Sequence, residues 1–394
     1  MEGNGAGKSR PRRLLLCLDG VPHKLIEAAR GRGLFDGFGP PTRLLSPFPT
    51  MTNVALSAML GASPPAGYES LYFDKGAGEL RGGIRKYLGR RTPDKIPSSY
   101  MDDLDYQEPL PFEFLIYVAP EKVWRTDMQR FREKFRAAPQ TRDYFAFLKA
   151  TDGLLHAQGP ERLSVALESL DKILREIQSY CGKETEIVMF SDHGMNLEEN
   201  RRVDLKSTLA RRGFNAVVPA FGLCSYAAVY CPADERIPEM ARALAEITGV
   251  DFAVYKDGEQ VVLESDRGQA RIERESDSFR YSNLSGDPLE LARFASGFVT
   301  DKEWFDQTAG HRYPDAVPNI YKSLFTSRVK HTADILVSIK DGYYYGWSPF
   351  GRFVRLAATH GNALQSSSNA FLMSTHRELP TYVRADDAKA LLRY

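Results

Sequence analysis

What most constrains this chain is a short apolar run that stops on an acid and an imidazole, Glu186 to Met195, EIVMFSDHGM. Ile187, Val188, Met189 and Phe190 follow one another without a polar interruption. That is the pattern of a strand covered on both faces, as in a parallel sheet flanked by helices. Ser191, Asp192, His193 and Gly194 then fall at its carboxyl end. Open α/β sheets bind ligands at that edge, where a carboxylate beside an imidazole suits metal or phosphate chemistry. Two adjacent residues alone carry little weight, so the rest of the chain must repeat the pattern before it means anything.

It does repeat. Leu14 to Leu18 is a second apolar strand and ends in Asp19-Gly20. Tyr144 to Thr151 is a third, followed by Asp152 and, four residues on, His156, a spacing that lets both side chains face one site. Residues 21–34 have helical character, with Leu25, Ile26 and Ala29 on one face. Gly159-Pro160 opens an amphipathic helix to about Tyr180, with Leu163, Leu167, Leu170, Ile173, Leu174 and Ile177 on its buried stripe. That helix feeds the Glu186 strand in βαβ order. Further on, Val203–Arg212 and Ile237–Thr248 read as helices, and Asn215–Pro219, Ser225–Cys231 and Ala333–Ile339 as strands. Ala357 to Gly361 and Ala370 to Ser374 are expected to close the catalytic sheet.

The fold class that follows is α/β, a mostly parallel central sheet with helices on both faces. Residues 1–12 read as a disordered leader and 13–394 as a single catalytic domain with two insertions. One, at about 62–143, is a lid on the substrate side: residues 62–111 have no clean periodicity and are too long for an ordinary loop, and Glu121–Arg136 is helical. Tyr68, Tyr72, Phe73, Tyr100 and Tyr106 within it read more readily as local packing than as a stacking platform. The other, at about 252–330, contains a small antiparallel β excursion around a turn at Asp257-Gly258.

Composition narrows the function classes. Lys plus Arg 52 against Asp plus Glu 51 gives +1, so no nucleic-acid or membrane surface is evident. The chain is 43% hydrophobic and 11% aromatic, as a packed globular protein requires. Arg10, Arg12 and Arg13 before Leu14 superficially resemble a signal peptide, but the apolar run ends at Asp19, short of the roughly 7–15 residues needed. No stretch approaches the ~20 apolar residues of a membrane span. Cys17, Cys181, Cys224 and Cys231 show no CxxC spacing, so a reduced, cytoplasmic location is expected. Gly5-Ala6-Gly7-Lys8-Ser9 ends like a P-loop but lacks its first glycine and a preceding strand.

Thr52 is expected to cap a small-residue helix that ends at Gly61, which would set its hydroxyl beside free backbone N–H groups suited to phosphate. With Asp19, Asp152 and Asp192 near three strand ends and His156, His193 and His360 in tight motifs, the chain offers six N/O ligands and one hydroxyl. That set suits two divalent ions, zinc being the usual occupant of mixed His/Asp sites and manganese the other option. His23, His311, His331 and His376 have no companion motif and read as ordinary residues.

On these residues the chain resembles the alkaline phosphatase superfamily, on the branch of nucleotide pyrophosphatases and phosphodiesterases. The resemblance is carried by LCLDG ending at Gly20, PTMTN at 49–53, DGLLHAQGP at 152–160, SDHGM at 191–195 and THG at 359–361. It implies that Asp152, His156 and His360 ligate one zinc, and that Asp19, Asp192 and His193 ligate another, which also holds the nucleophile Thr52. It further implies two in-line displacements through a phosphothreonine on a small-molecule phosphoester, with Asn53 holding a phosphoryl oxygen. Leu155 departs from the family, which has glycine there. The segment from Thr52 to Gly61 is one residue short, which keeps Thr50 open as the nucleophile. Two zinc ions against three carboxylates leave about +1, which favours a singly charged diester. The alternatives are a phosphonoacetate hydrolase, suggested by the Thr52-Asn53 pair, a phosphomonoesterase, or an inactive metal- and phosphate-binding homologue.

Overall fold

The computed structural model describes residues 12–83, 99–107, 115, 119–232, 236–294, 297–326, 328–346 and 356–392. Every residue of the Arg13–Leu18 strand is buried, and its side chains alternate between two cores. Leu14, Leu16 and Leu18 join Ile187 and Met189 in one; Leu15 and Cys17 join Val188 and Phe190 in the other. A period of two with apolar residues on both faces is what an interior strand of a covered sheet requires.

This strand lies between Tyr144–Leu148 and Glu186–Phe190 and runs parallel to both, with Leu16 opposite Ala146 and Met189. Tyr106–Gln107 extends the sheet on one side, and Asn369–Ser374, Thr42–Leu45 and Tyr382–Arg384 on the other. Of these seven described strands, Asn369–Ser374 alone runs against the rest. Helices His23–Gly31, Pro120–Ala137 and Pro160–Cys181 cover one face. Thr52–Leu60 and Ala385–Leu392 cover the other. The expected α/β class with helices on both faces is what the chain adopts. The long helix buries Leu163, Leu167, Leu170, Leu174 and Ile177, each contributing about 1.5–3 kcal/mol of apolar burial.

A second sheet is equally large. Its seven strands run Tyr226–Val229, Ile335–Ile339, Val250–Asp257, Gln260–Ser265, Gly268–Glu275, Ser278–Gly286 and Val299–Thr300, antiparallel throughout. Helix Ile237–Ala245 packs Met240, Ala241 and Leu244 on one face, while Trp304, Val317, Ile320 and Leu324 from two further helices fill the other. The antiparallel excursion therefore extends beyond the expected small unit. It recruits Tyr226–Val229 and Ile335–Ile339, whose partners no local pattern could name.

Other local expectations shift too. Tyr144–Leu148 is shorter than expected, because Ala150–Gln158 is already helix, so Asp152 lies in a first helical turn. Asn215–Pro219 is not a strand; it holds a single bridge pair, Val217 with Tyr230. Ala357 to Gly361 is a loop tied by one bridge pair, Thr359 with Asn196, and Asn369–Ser374 closes the sheet. Within the segment expected to form a lid, Leu71–Asp74 and Glu79–Gly82 form a hairpin. Tyr68, Phe73, Tyr100 and Tyr106 are buried there, and Tyr72 stacks on His331. The leader lies outside the described residues up to residue 11. No described helix is long and apolar enough to cross a membrane.

Candidate metal centre

The parallel register delivers the first acids. Asp19 follows its strand directly, and the Asp19 N–H donates to Leu148 O at 3.1 Å. The Thr151 hydroxyl donates to Asp19 O at 2.7 Å, which fixes the two strand ends together. Gly20 must be glycine: its φ is +69°, and a Cβ there would stand 2.9 Å from both Asp152 Oδ1 and Met195 Cε. Asp192 is aimed by the Gly20 N–H, which donates to its Oδ1 at 3.1 Å. Ser191 accepts from the Val21 N–H at 2.8 Å and donates to His193 O at 2.8 Å, pinning the turn after the strand.

All three expected histidines are oriented in the same way. His156 Nδ1 meets Ala358 O at 2.8 Å, His193 Nδ1 meets Gly194 O at 2.9 Å, and His360 Nδ1 meets Thr50 O at 2.8 Å. A carbonyl can only accept, so each Nδ1 carries the proton and each Nε2 of a neutral ring presents a lone pair. Those Nε2 atoms converge on carboxylate oxygens. His156 Nε2 is 3.2 Å and His360 Nε2 3.6 Å from Asp152 Oδ1. His193 Nε2 is 3.3 Å from Asp192 Oδ2 and 3.5 Å from Asp19 Oδ1.

Two tight groups result, one of Asp152, His156 and His360, the other of Asp19, Asp152 and His193. Asp152 thus stands between the two, and Asp192 borders the second through His193. Asp152 Oδ1 and Asp192 Oδ2 are buried without a hydrogen-bond partner. Buried lone pairs facing one another at such distances are stabilised by a cation among them, and imidazole with carboxylate is the donor set of zinc. The residues fit divalent ions.

Burial drives the electrostatics. It lowers His193 to about 4 and, with the adjacent His193 ring, His360 to about 3. Burial alone would lower His156 as well, but Asp152 outweighs it and the net shift is upward. Burial raises Asp192 to about 6 against the pull of the Gly20 N–H. For Asp152 burial works upward, yet His156, His360 and His193 together bring it below the ordinary carboxylate range.

Thr52 is not the helix cap expected from the sequence. Met51 holds that position, and Thr52 is the first helical residue with no capping bond. Its hydroxyl turns instead into the cluster, 3.3 Å from Asp19 Oδ1, to which it donates, and 3.2 Å from His193 Nε2. Asn53, the next residue, has its Oδ1 held by the Tyr100 hydroxyl at 3.0 Å. Thr50 is buried with its carbonyl on His360 Nδ1, and its hydroxyl is engaged with the loop that follows His360. Sequence reasoning missed the orienting roles of Ser191, Thr151 and Tyr100; only Ser191, next to Asp192, lay inside a motif. None of His23, His311, His331 and His376 enters either group.

Fold and site together define a phosphoester hydrolase of the alkaline phosphatase superfamily. Residues 72–294 match the type I phosphodiesterase / nucleotide pyrophosphatase family, and the chain belongs to it. No curated protein matches the chain in sequence. Among solved structures it is similar to phosphonoacetate hydrolase from Sinorhizobium meliloti 1021 in complex with phosphonoformate, with TM-score 0.57, 15% identity, and coverage of 98% of this chain and 95% of that one. It is also similar to human ectonucleotide pyrophosphatase/phosphodiesterase 5, with TM-score 0.52, 13% identity, and coverage of 97% and 93%. An inactive murine form of the latter in complex with AMP gives 0.51, 13%, 97% and 94%. At these identities the likeness is one of fold.

Proposed function

We propose that this protein is a zinc-dependent phosphodiesterase or nucleotide pyrophosphatase that works through a phosphothreonine on Thr52. The observation that carries the reading is the convergence of three Nε2 lone pairs and the buried carboxylates beside the Thr52 hydroxyl. Asp152, His156 and His360 would hold one ion, and Asp19, Asp192 and His193 the other, with Asp152 bordering both. When bound, the ions lower the pKa of a hydroxyl or water and offset charge on the departing oxygen.

The chain's own residues supply positioning. Thr52 Oγ1, on the first residue of a helix whose uncapped start suits a phosphoryl oxygen, forms a bond to phosphorus as the ester oxygen leaves. Its proton, donated to Asp19 Oδ1 in the hydrogen bond of 3.3 Å, passes to that carboxylate as the bond to phosphorus forms, with His193 Nε2 3.2 Å from Thr52 Oγ1. Water then adds to the same phosphorus and releases Thr52. Asn53, held through Oδ1 by Tyr100, keeps its amide N–H groups for a phosphoryl oxygen. The charge balance of about +1 suits a singly charged diester. In this reading residues 13–394 form one catalytic unit, with the segments near 62–143 and 252–330 as insertions that shape the substrate side.

A side-by-side assay of bis-p-nitrophenyl phosphate and p-nitrophenyl phosphate on zinc-loaded protein tests this. The diester should be clearly preferred, and preference for the monoester would contradict the reading. Phosphonoacetate belongs in the same assay, because the Thr52-Asn53 pair and the phosphonoacetate hydrolase fold favour it as the second reading.

A further inference from the structure

We infer that Thr50 is a positioning residue that ties the nucleophile segment to the loop carrying His360. The inference rests on the proposed site, in which Thr52 and His360 serve one two-ion centre. Thr50 is 1% exposed and uses every polar group it has on that loop. Its N–H donates to Gly361 O at 3.2 Å, and its carbonyl accepts from His360 Nδ1 at 2.8 Å. Its hydroxyl accepts from the Gly361 N–H at 2.9 Å and donates to Asn362 O at 3.2 Å. A hydroxyl spent in both directions is no nucleophile, so Thr50 drops out as the competitor of Thr52.

The loop can close on Thr50 because Gly361 sits at φ +127°, a conformation L side chains rarely adopt, and a Cβ there would lie 2.9 Å from the Tyr226 ring. Behind it, Asn362 Nδ2 donates to Ile339 O at 2.8 Å and Asp341 Oδ1 at 2.9 Å, anchoring the loop to the second sheet. Thr50 is thus a rigid pin between that sheet and the start of the Thr52 helix. Two residues on, Thr52 Oγ1 stands 3.2 Å from His193 Nε2. Any movement of Thr50 shifts His360 in one candidate ion group and Thr52 beside the other, so it sets the span between the two groups.

Zinc titration of wild type, Thr50→Val and Thr50→Ser, with diesterase kinetics on the same samples, tests the inference. Valine keeps the shape and removes the hydroxyl; serine keeps the hydroxyl. Thr50→Val keeps the carbonyl on His360 but releases the loop from both bonds of the hydroxyl, and should weaken one of the two zinc affinities by roughly 10-fold, the low end for disturbed outer-shell support, and leave the other near wild type. Its kcat should fall in step while KM stays close to wild type, and Thr50→Ser should restore both. Should Thr50→Val not fold, Thr50→Ala, which leaves room for a water on the Gly361 N–H, is read by the same titration. Unchanged zinc affinities, equal weakening of both, or failure of serine to rescue would overturn the inference. Wild type that binds two zinc ions without hydrolysing any diester would sink the proposed function instead, and the titration would still decide the role of Thr50.

Discussion

The imidazoles of His193 and His360 lie face to face, with 3.8 Å between ring centroids and 15° between planes. Each belongs to a different candidate ion group, so the two groups share a wall. Two stacked imidazolium ions would repel one another, and burial keeps both rings uncharged by lowering their pKa values to about 4 and about 3. Uncharged rings with their Nδ1 protons committed to carbonyls are held in the tautomer that ligates through Nε2.

Thr52→Ala removes a neutral hydroxyl and leaves every carboxylate and imidazole in place. Turnover of bis-p-nitrophenyl phosphate should drop by on the order of 10⁴-fold or more, as for loss of a nucleophile. Metal analysis of the same sample should still give two zinc ions per chain. Surviving turnover would move the role to water, because Thr50 has no free hydroxyl.

Asp152 contributes to both tight groups. Asp152→Asn should therefore weaken both zinc ions, each by about 100-fold or more. Asp192→Asn, which borders only the His193 group, should weaken one. Isothermal titration with zinc separates the two patterns, and a single weakened ion in Asp152→Asn would assign Asp152 to one group.

Away from the site, Asp127 is wholly buried on the Pro120–Ala137 helix, with the Tyr106 hydroxyl on its Oδ1. Burial raises its pKa to about 7 although Tyr106 and Arg130 pull it down. The unfolded carboxyl ionises near pH 4, so between those values the folded chain binds the extra proton. The stability contributed by this proton is complete below about pH 4 and is lost as pH rises through about 7. Thermal melts of zinc-free protein should show wild type losing roughly 3 °C against Asp127→Asn between pH 5 and pH 8. Parallel curves for the two proteins would count against a proton held by Asp127.

The core strands were readable because both of their faces are buried: Leu14 to Leu18 and Ile187 to Phe190 carry apolar side chains at every position. The candidate ligands were readable because Asp19, Asp192 and His193 fall just after those strands and Asp152 and His156 are one helical turn apart. The second sheet was not, since Tyr226–Val229 and Ile335–Ile339 find their partners only across long sequence separations. Thr52 was misread as a cap because local preference favours threonine there. Asp19 and His193 draw its hydroxyl elsewhere, and neither is near it in sequence. The part played by Thr50 depends on residues 360–362 and leaves no local signature.

The most direct test of the account is the anomalous scattering of zinc in crystals of the zinc-loaded protein. It predicts two peaks about 4 Å apart, one bounded by Asp152, His156 and His360, the other by Asp19, Asp192 and His193 with the Thr52 hydroxyl against it. Zinc-saturated crystals with no peak in this cluster, or with ions bound only elsewhere, would contradict it.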